Sequence, residues 1–181
     1  MADSSPASLQ IARRIQQLSE ITGKAVSWLT LLMMLLMTLV VVLRYGFGMG
    51  WIALQESVLY LHAMVLMLGM AYTMKHDGHV RVDIFFRRFP PKKKNWVNLG
   101  GHLLFLIPTC CFILYMSWPY VAQSWSILEG SQEAGGLPLV FVLKGLLLLT
   151  PVLLILQAMA EFIQVLILGK TESQQNDLEA L

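Results

Sequence analysis

Residues 51–83 read WIALQESVLYLHAMVLMLGMAYTMKHDGHVRVD, and the rest of the chain can be placed around them. An apolar run of about helix-spanning length opens at Trp51, carries one acid at Glu56 and one histidine at His62, and breaks into a polar segment from Lys75 to Asp83. Seven Lys and Arg lie between Lys75 and Lys94: Lys75, Arg81, Arg87, Arg88, Lys92, Lys93 and Lys94. Cationic loops stay on the cytoplasmic side during insertion, so this density orients the helix, with Trp51 outside and Asp83 inside.

Working outward, Ala25 to Leu43 contains no charge and is long enough for a first span. It exceeds the apolar core of a secretory signal, and no small-residue cleavage site follows it, so it is expected to remain in the protein. Arg44-Tyr45 and the glycine-rich GFGMG turn it back into the second span, 51–74, as a hairpin. A third span is expected over 96–121, kinked at Pro108, with Trp118, Tyr120 and Trp125 as an outer aromatic belt. A fourth is expected over 139–168, with Lys144 near its outer end and Gln157 and Glu161 four apart on one face.

Composition agrees. Of 181 residues, 56% are hydrophobic and 13% charged, against roughly 25% charged in an ordinary soluble domain. The net charge of +2 implies no nucleic acid. Eleven of the thirteen Lys and Arg fall before the first span, in the middle loop or after the fourth. Residues 122–138 contain neither Lys nor Arg. The expected fold is therefore an all-α integral membrane protein of four transmembrane helices over 25–168, with both termini cytoplasmic.

Three flanking pieces complete it. Residues 1–24 place Ile11, Ile15 and Leu18 at helical spacing, which suits a short amphipathic helix on the inner surface, or a partly disordered tail. Ile84 to Phe89 is expected as a short interfacial helix, with Phe85, Phe86 and Phe89 toward lipid and Arg87 and Arg88 away from it, stopped by Pro90-Pro91. Residues 171–181 read as a disordered tail.

The polar residues carry the functional question. Glu56 lies five residues below the outer interface, about 7 Å down. An intramembrane acid is a functional candidate, here either a proton carrier of a small exporter or an architectural group paired with Arg44 or a partner subunit. Architecture is preferred, because one acid near the surface makes a poor proton path. His62 and His102 suggest haem in a respiratory membrane anchor, yet they would sit about 18 Å and about 9 Å deep, and axial ligands of one iron need matching depth. His76 and His79 lack a ligand cluster, Cys110 and Cys111 read as packing residues, and no nucleophile or phosphate-cradling motif is present. Neither enzyme activity nor a metal or cofactor is expected.

The motifs, taken in order, resemble a family. Arg44-Tyr45 ends the first span, Trp51 and Glu56 open the second, and Gly78-His79-Val80-Arg81-Val82-Asp83 follows it. Ser131, Glu133 and Gly136-Leu137-Pro138 lie outside the third, with Lys144, Pro151, Gln157 and Glu161 in the fourth. Over about residues 20–168 the chain is similar to the small membrane subunit, the DctQ type, of tripartite ATP-independent periplasmic (TRAP) transporters. An acidic pair often follows the tryptophan in that family, where this chain has Gln55-Glu56.

The resemblance implies sodium-coupled uptake of an organic acid or related small solute across the bacterial inner membrane. A periplasmic binding protein would deliver the solute and a large multi-span subunit would move it, while the small subunit extends the scaffold. Arg44, Trp51, Glu56, Lys144 and Glu161 would then be docking and scaffold positions rather than substrate ligands. His79, Arg81, Asp83, Arg87 and Arg88 would order the inner loop and contact anionic lipid. The alternative function is a haem- or quinone-holding membrane anchor of a respiratory complex.

Overall fold

The computed structural model describes residues 7–79 and 86–179, of which Arg87, Pro91, Lys92 and 168–179 are described in backbone alone. The described chain is helical: α1 (Ala7–Gly46), α2 (Ile52–Lys75), a single 3-10 turn (Phe86–Arg88), α3 (Pro91–Gly101), a π-helical turn (His102–Leu106), α4 (Ile107–Ser126) and α5 (Val140–Glu179). Four helices are long and apolar enough to cross a membrane: α1, α2, the rod made by α3, the π turn and α4, and α5.

The first helix runs unbroken through the expected boundary at residue 24. Residues 7–46 form one unbroken helix of 40 residues, about 60 Å long and twice the thickness of a bilayer's hydrocarbon core. Its buried positions, Ala12, Ser19, Gly23 and Val26, form one stripe that crosses the supposed junction. The stripe is made of small residues, which let backbones approach closely. At Gly23 an added Cβ would fall 2.2 Å from Tyr72 Cγ, so only glycine fits where α1 meets α2.

α2 ends in a six-residue signature. Gly78 N–H donates to the Thr73 carbonyl at 2.9 Å and Asp77 N–H to the Met74 carbonyl at 3.1 Å, with Asp77 at φ +54°. This is the left-handed close that terminates many helices, with Asp in the place glycine usually takes. The third span departs from regularity where a kink at Pro108 is expected. Proline has no N–H to give the carbonyl four residues back, and the ladder slips just before it, Ile107 N–H reaching the His102 carbonyl. One π turn absorbs the irregularity.

α5 is the helix that the other spanning helices share. It packs against α1, α2 and α4, and α1 packs most extensively along α2. Like α1 it has 40 residues, and its backbone stays helical to Glu179, through most of the segment expected as a disordered tail. That stretch is rich in Glu and Gln, which lose little rotamer freedom in a helix. Of the interfacial helix expected over 84–89, only Phe86–Phe89 is described: one 3-10 turn, with the Phe86 and Phe89 rings edge to face at 6.5 Å and Lys94 Nζ 5.7 Å from the Phe86 centroid. Side chains facing outward are overwhelmingly apolar, among them Trp28, Leu35, Phe105, Phe112 and Tyr115.

Candidate functional site

The polar side chains of the spanning region gather into belts at the two ends of the bundle. Each belt ties together segments far apart in sequence.

The outer belt is a latch over the loop between α4 and α5. Glu56, one turn into α2, accepts a short hydrogen bond from Ser131 Oγ on one carboxylate oxygen and the Leu137 N–H at 2.6 Å on the other. Ser131 is held in turn: its N–H donates to the Leu137 carbonyl at 2.9 Å, and its Oγ accepts the Glu133 N–H at 3.1 Å. Gly136 closes the approach, since a Cβ there would lie 2.4 Å from Ser131 Oγ and 2.9 Å from Glu56 Oε1. Gly135 beside it takes φ +81°, a conformation glycine adopts without strain.

A second pair braces the same loop. Lys144 Nζ donates to Glu129 at 2.5 Å and lies 4.1 Å from the Tyr120 ring centroid. Lys144 holds the Glu129 carboxyl below the ordinary carboxylate range. Trp125 meets Phe141 edge to face at 5.0 Å, and its indole Nε1 leaves an added Cβ on Gly145 only 3.4 Å. The loop that closes the bundle outside is thus tied to α2, α4 and α5 at once.

The inner belt begins on α1. Ser19 Oγ donates to Gln157 Oε1 at 2.8 Å, and Gln157, fully buried, donates through Nε2 to Glu161 Oε1 at 3.1 Å. Glu161 Oε2 lies 3.6 Å from His102 Nδ1 on the π turn. One turn nearer the termini, Gln16 Nε2 donates to Gln164 Oε1 at 2.9 Å. Glu20 binds the end of α2, with Lys75 Nζ at 2.7 Å and His76 Nε2 at 3.0 Å, and Lys24 at 3.2 Å on its own helix. Lys75, then His76 and Lys24, hold the Glu20 carboxyl down to about 2.

The expected site residues are therefore divided. Glu56 and Lys144 take partners within the chain, and Glu56 bonds the outer loop where a pairing with Arg44 was weighed. Arg44 forms no ion pair among the described residues and stands exposed, as does Trp51 at the start of α2. Glu161 joins the inner belt. His79 is exposed beyond the end of α2, and Arg88 is exposed at the last position of the 3-10 turn. Arg81, Asp83 and the Arg87 side chain lie outside the described residues. His62 opens toward a groove between α1 and α2, while His102 faces α5, so the two imidazoles do not converge on one space.

Residues missed from the sequence are Ser19, Glu20 and Gly23. The signal was present: Ser19 and Gly23 stand four apart on a helix that the apolar positions already marked, the spacing of small residues at a close helix contact.

What this geometry can do chemically is hold helices together. Each belt pairs its carboxylates within the chain, and between the belts lies an apolar layer with His62 in the α1–α2 groove. Comparison with known proteins assigns the framework. A relative from Haemophilus influenzae, named as a TRAP transporter small permease protein, is 31% identical over 83 residues, which is 46% of this chain and 50% of that protein. The chain thus spans about half the length of the curated relative it matches. No solved structure matches it. The family described as the DctQ component of tripartite ATP-independent periplasmic transporters matches residues 33–167, a stretch that contains the whole outer latch and Gln157 and Glu161 of the inner belt. This multi-pass membrane protein belongs to the DctQ family.

Proposed function

We propose that the chain is the small scaffold subunit of a sodium-coupled, binding-protein-dependent uptake system for an organic acid or related small solute. It packs against the large transport subunit in the bacterial inner membrane, with both termini cytoplasmic, and does not bind the solute itself. The observation that carries this reading is the closure of both polar belts upon themselves. Glu56, the one acid in the outer half of α2, is engaged by Ser131 and Leu137. A translocation path needs polar groups that can be offered to a passing solute or ion, and here they are committed to the fold.

The apolar faces supply the other half of the reading. α5 is covered by three neighbours, whereas α1 and α4 present large apolar side chains outward over most of their length. A rigid body with such faces widens the fixed part of a transporter against which another part can move. Basic residues crowd the connection between α2 and α3 and give it affinity for anionic lipid headgroups. Trp51 serves as an outer docking position, and His79, Arg81, Asp83, Arg87 and Arg88 order the inner loop.

The test is purification. When the chain is expressed with the large membrane subunit and pulled down by a tag on either one, the two should elute as a stoichiometric complex in mild detergent. Elution of the chain alone under conditions where both are folded would refute the scaffold role.

A further inference from the structure

Between α1 and the outer half of α2 runs an open groove of about 920 Å³. Its α1 wall extends from Met33 past Met37 and Val41 to Arg44, and its α2 wall from Gln55 to His62. Met33 and Arg44 are separated by eleven residues, about 17 Å along a helix, which is close to one leaflet, or half of the roughly 30 Å hydrocarbon core.

Apart from Thr38 and the His62 imidazole at the deep end, the walls are apolar and rich in methionine, whose unbranched, adaptable side chain tolerates a mobile neighbour. At the outer rim stands Arg44, exposed and without an ion-pair partner among the described residues, with the Gln55 amide across from it. A guanidinium at headgroup depth suits a phosphate oxyanion, which it can bind through two parallel N–H groups.

We infer that this groove is a phospholipid site in the leaflet on the side of the 46–51 loop, with an acyl chain along Met33, Met37 and Val41 and an anionic headgroup on Arg44. The inference rests on the membrane-spanning fold and not on the uptake reading, so either can fail without the other. It assigns a role to Arg44 that the latch around Glu56 leaves open. Bound lipid would fill the gap between α1 and α2 and hold their outer ends at a fixed separation.

The test uses the full chain reconstituted in mixed phosphatidylglycerol and phosphatidylethanolamine vesicles, extracted in mild detergent and weighed intact by native mass spectrometry. The wild type should retain one phosphatidylglycerol. Arg44→Gln should lower that retention about fivefold, the worth of one cation near a membrane surface, and Arg44→Lys should restore most of it. Met37→Trp, at an exposed position away from the core, should displace the lipid by filling the groove. Equal retention by all four proteins would overturn the proposal. So would a groove filled by a partner helix: His62→Leu would then weaken co-purification with the large subunit, because the imidazole would lie in that interface, whereas a lipid site predicts no loss.

Discussion

Ser19 and Gln157 stand 138 positions apart and share a buried 2.8 Å hydrogen bond that fastens the long N-terminal helix to the helix every other span leans on. Gln157 has no exposed surface, and its amide bridges from Ser19 on one side to Glu161 on the other. Removing Ser19 Oγ leaves the Gln157 carbonyl oxygen bare. Ser19→Ala should cost about 1 kcal/mol, within the range of measured interhelical hydrogen bonds in membranes. Gln157→Ala, which removes both bonds and leaves a void, should cost about 2–4 kcal/mol. Reversible unfolding in mixed micelles measures both.

Gly23 sets how closely α1 approaches α2. With Tyr72 Cγ 2.2 Å from where a Cβ would stand, Gly23→Ala must push the helices apart or twist the ring out of place. The expected loss is about 1–3 kcal/mol, the usual cost of overpacking. Tyr72→Ala in the same molecule should recover part of it, and a double-mutant cycle on melting temperature reads the coupling.

The latch over the outer loop makes a kinetic prediction. Glu56→Ala strips the Ser131 hydroxyl and the Leu137 N–H of their shared acceptor. Hydrogen bonds to a charged group are worth about 1.5–3 kcal/mol, so opening of residues 127–139 should become at least about tenfold more frequent. Limited proteolysis of that loop in detergent should accelerate by that factor, with the spanning helices untouched. Glu56→Gln should give an intermediate rate, since one of its two contacts would set an amide N–H against a donor.

Acid should loosen the inner end. The Glu20 carboxyl lies at about 2, below its ordinary 4.5, because Lys75, His76 and Lys24 favour its charged form. A depressed carboxylate contributes stability that is complete above its unfolded value and disappears as pH falls through the folded one. The difference in melting temperature between the wild type and Glu20→Gln should therefore be constant above about pH 5 and close between about pH 4.5 and 2. Screening by salt should shrink the difference at neutral pH, as expected for a cluster that solvent partly reaches.

The spans were legible because insertion physics acts on local composition. The charge-free run 25–43, the turn at GFGMG and the basic residues after Lys75 each carry their meaning without reference to distant residues. Gln157 and Glu161 could be placed on one face from their spacing, and the structure brings them to 3.1 Å. Their link to Ser19 could not be read, because nothing in a helical period says which helix lies opposite. Glu56 shows the same limit: its partners sit in an irregular, glycine-rich loop whose path is set by backbone hydrogen bonds and by Gly135 at positive φ. The unbroken α1 was hidden for another reason. Its polar first half resembles a surface helix until Ser19 and Gly23 are seen as a packing seam.

The central claim is that this chain supports transport without performing it. The direct measurement is solute uptake into sodium-free proteoliposomes diluted into sodium buffer with the cognate binding protein, comparing this chain alone, the large subunit alone and the two together. The account predicts an inward sodium gradient to drive uptake only where both are present, with Glu56→Ala reducing the rate through assembly rather than abolishing it. Robust sodium-driven uptake by this chain alone, or full-rate uptake by the large subunit without it, would contradict that account.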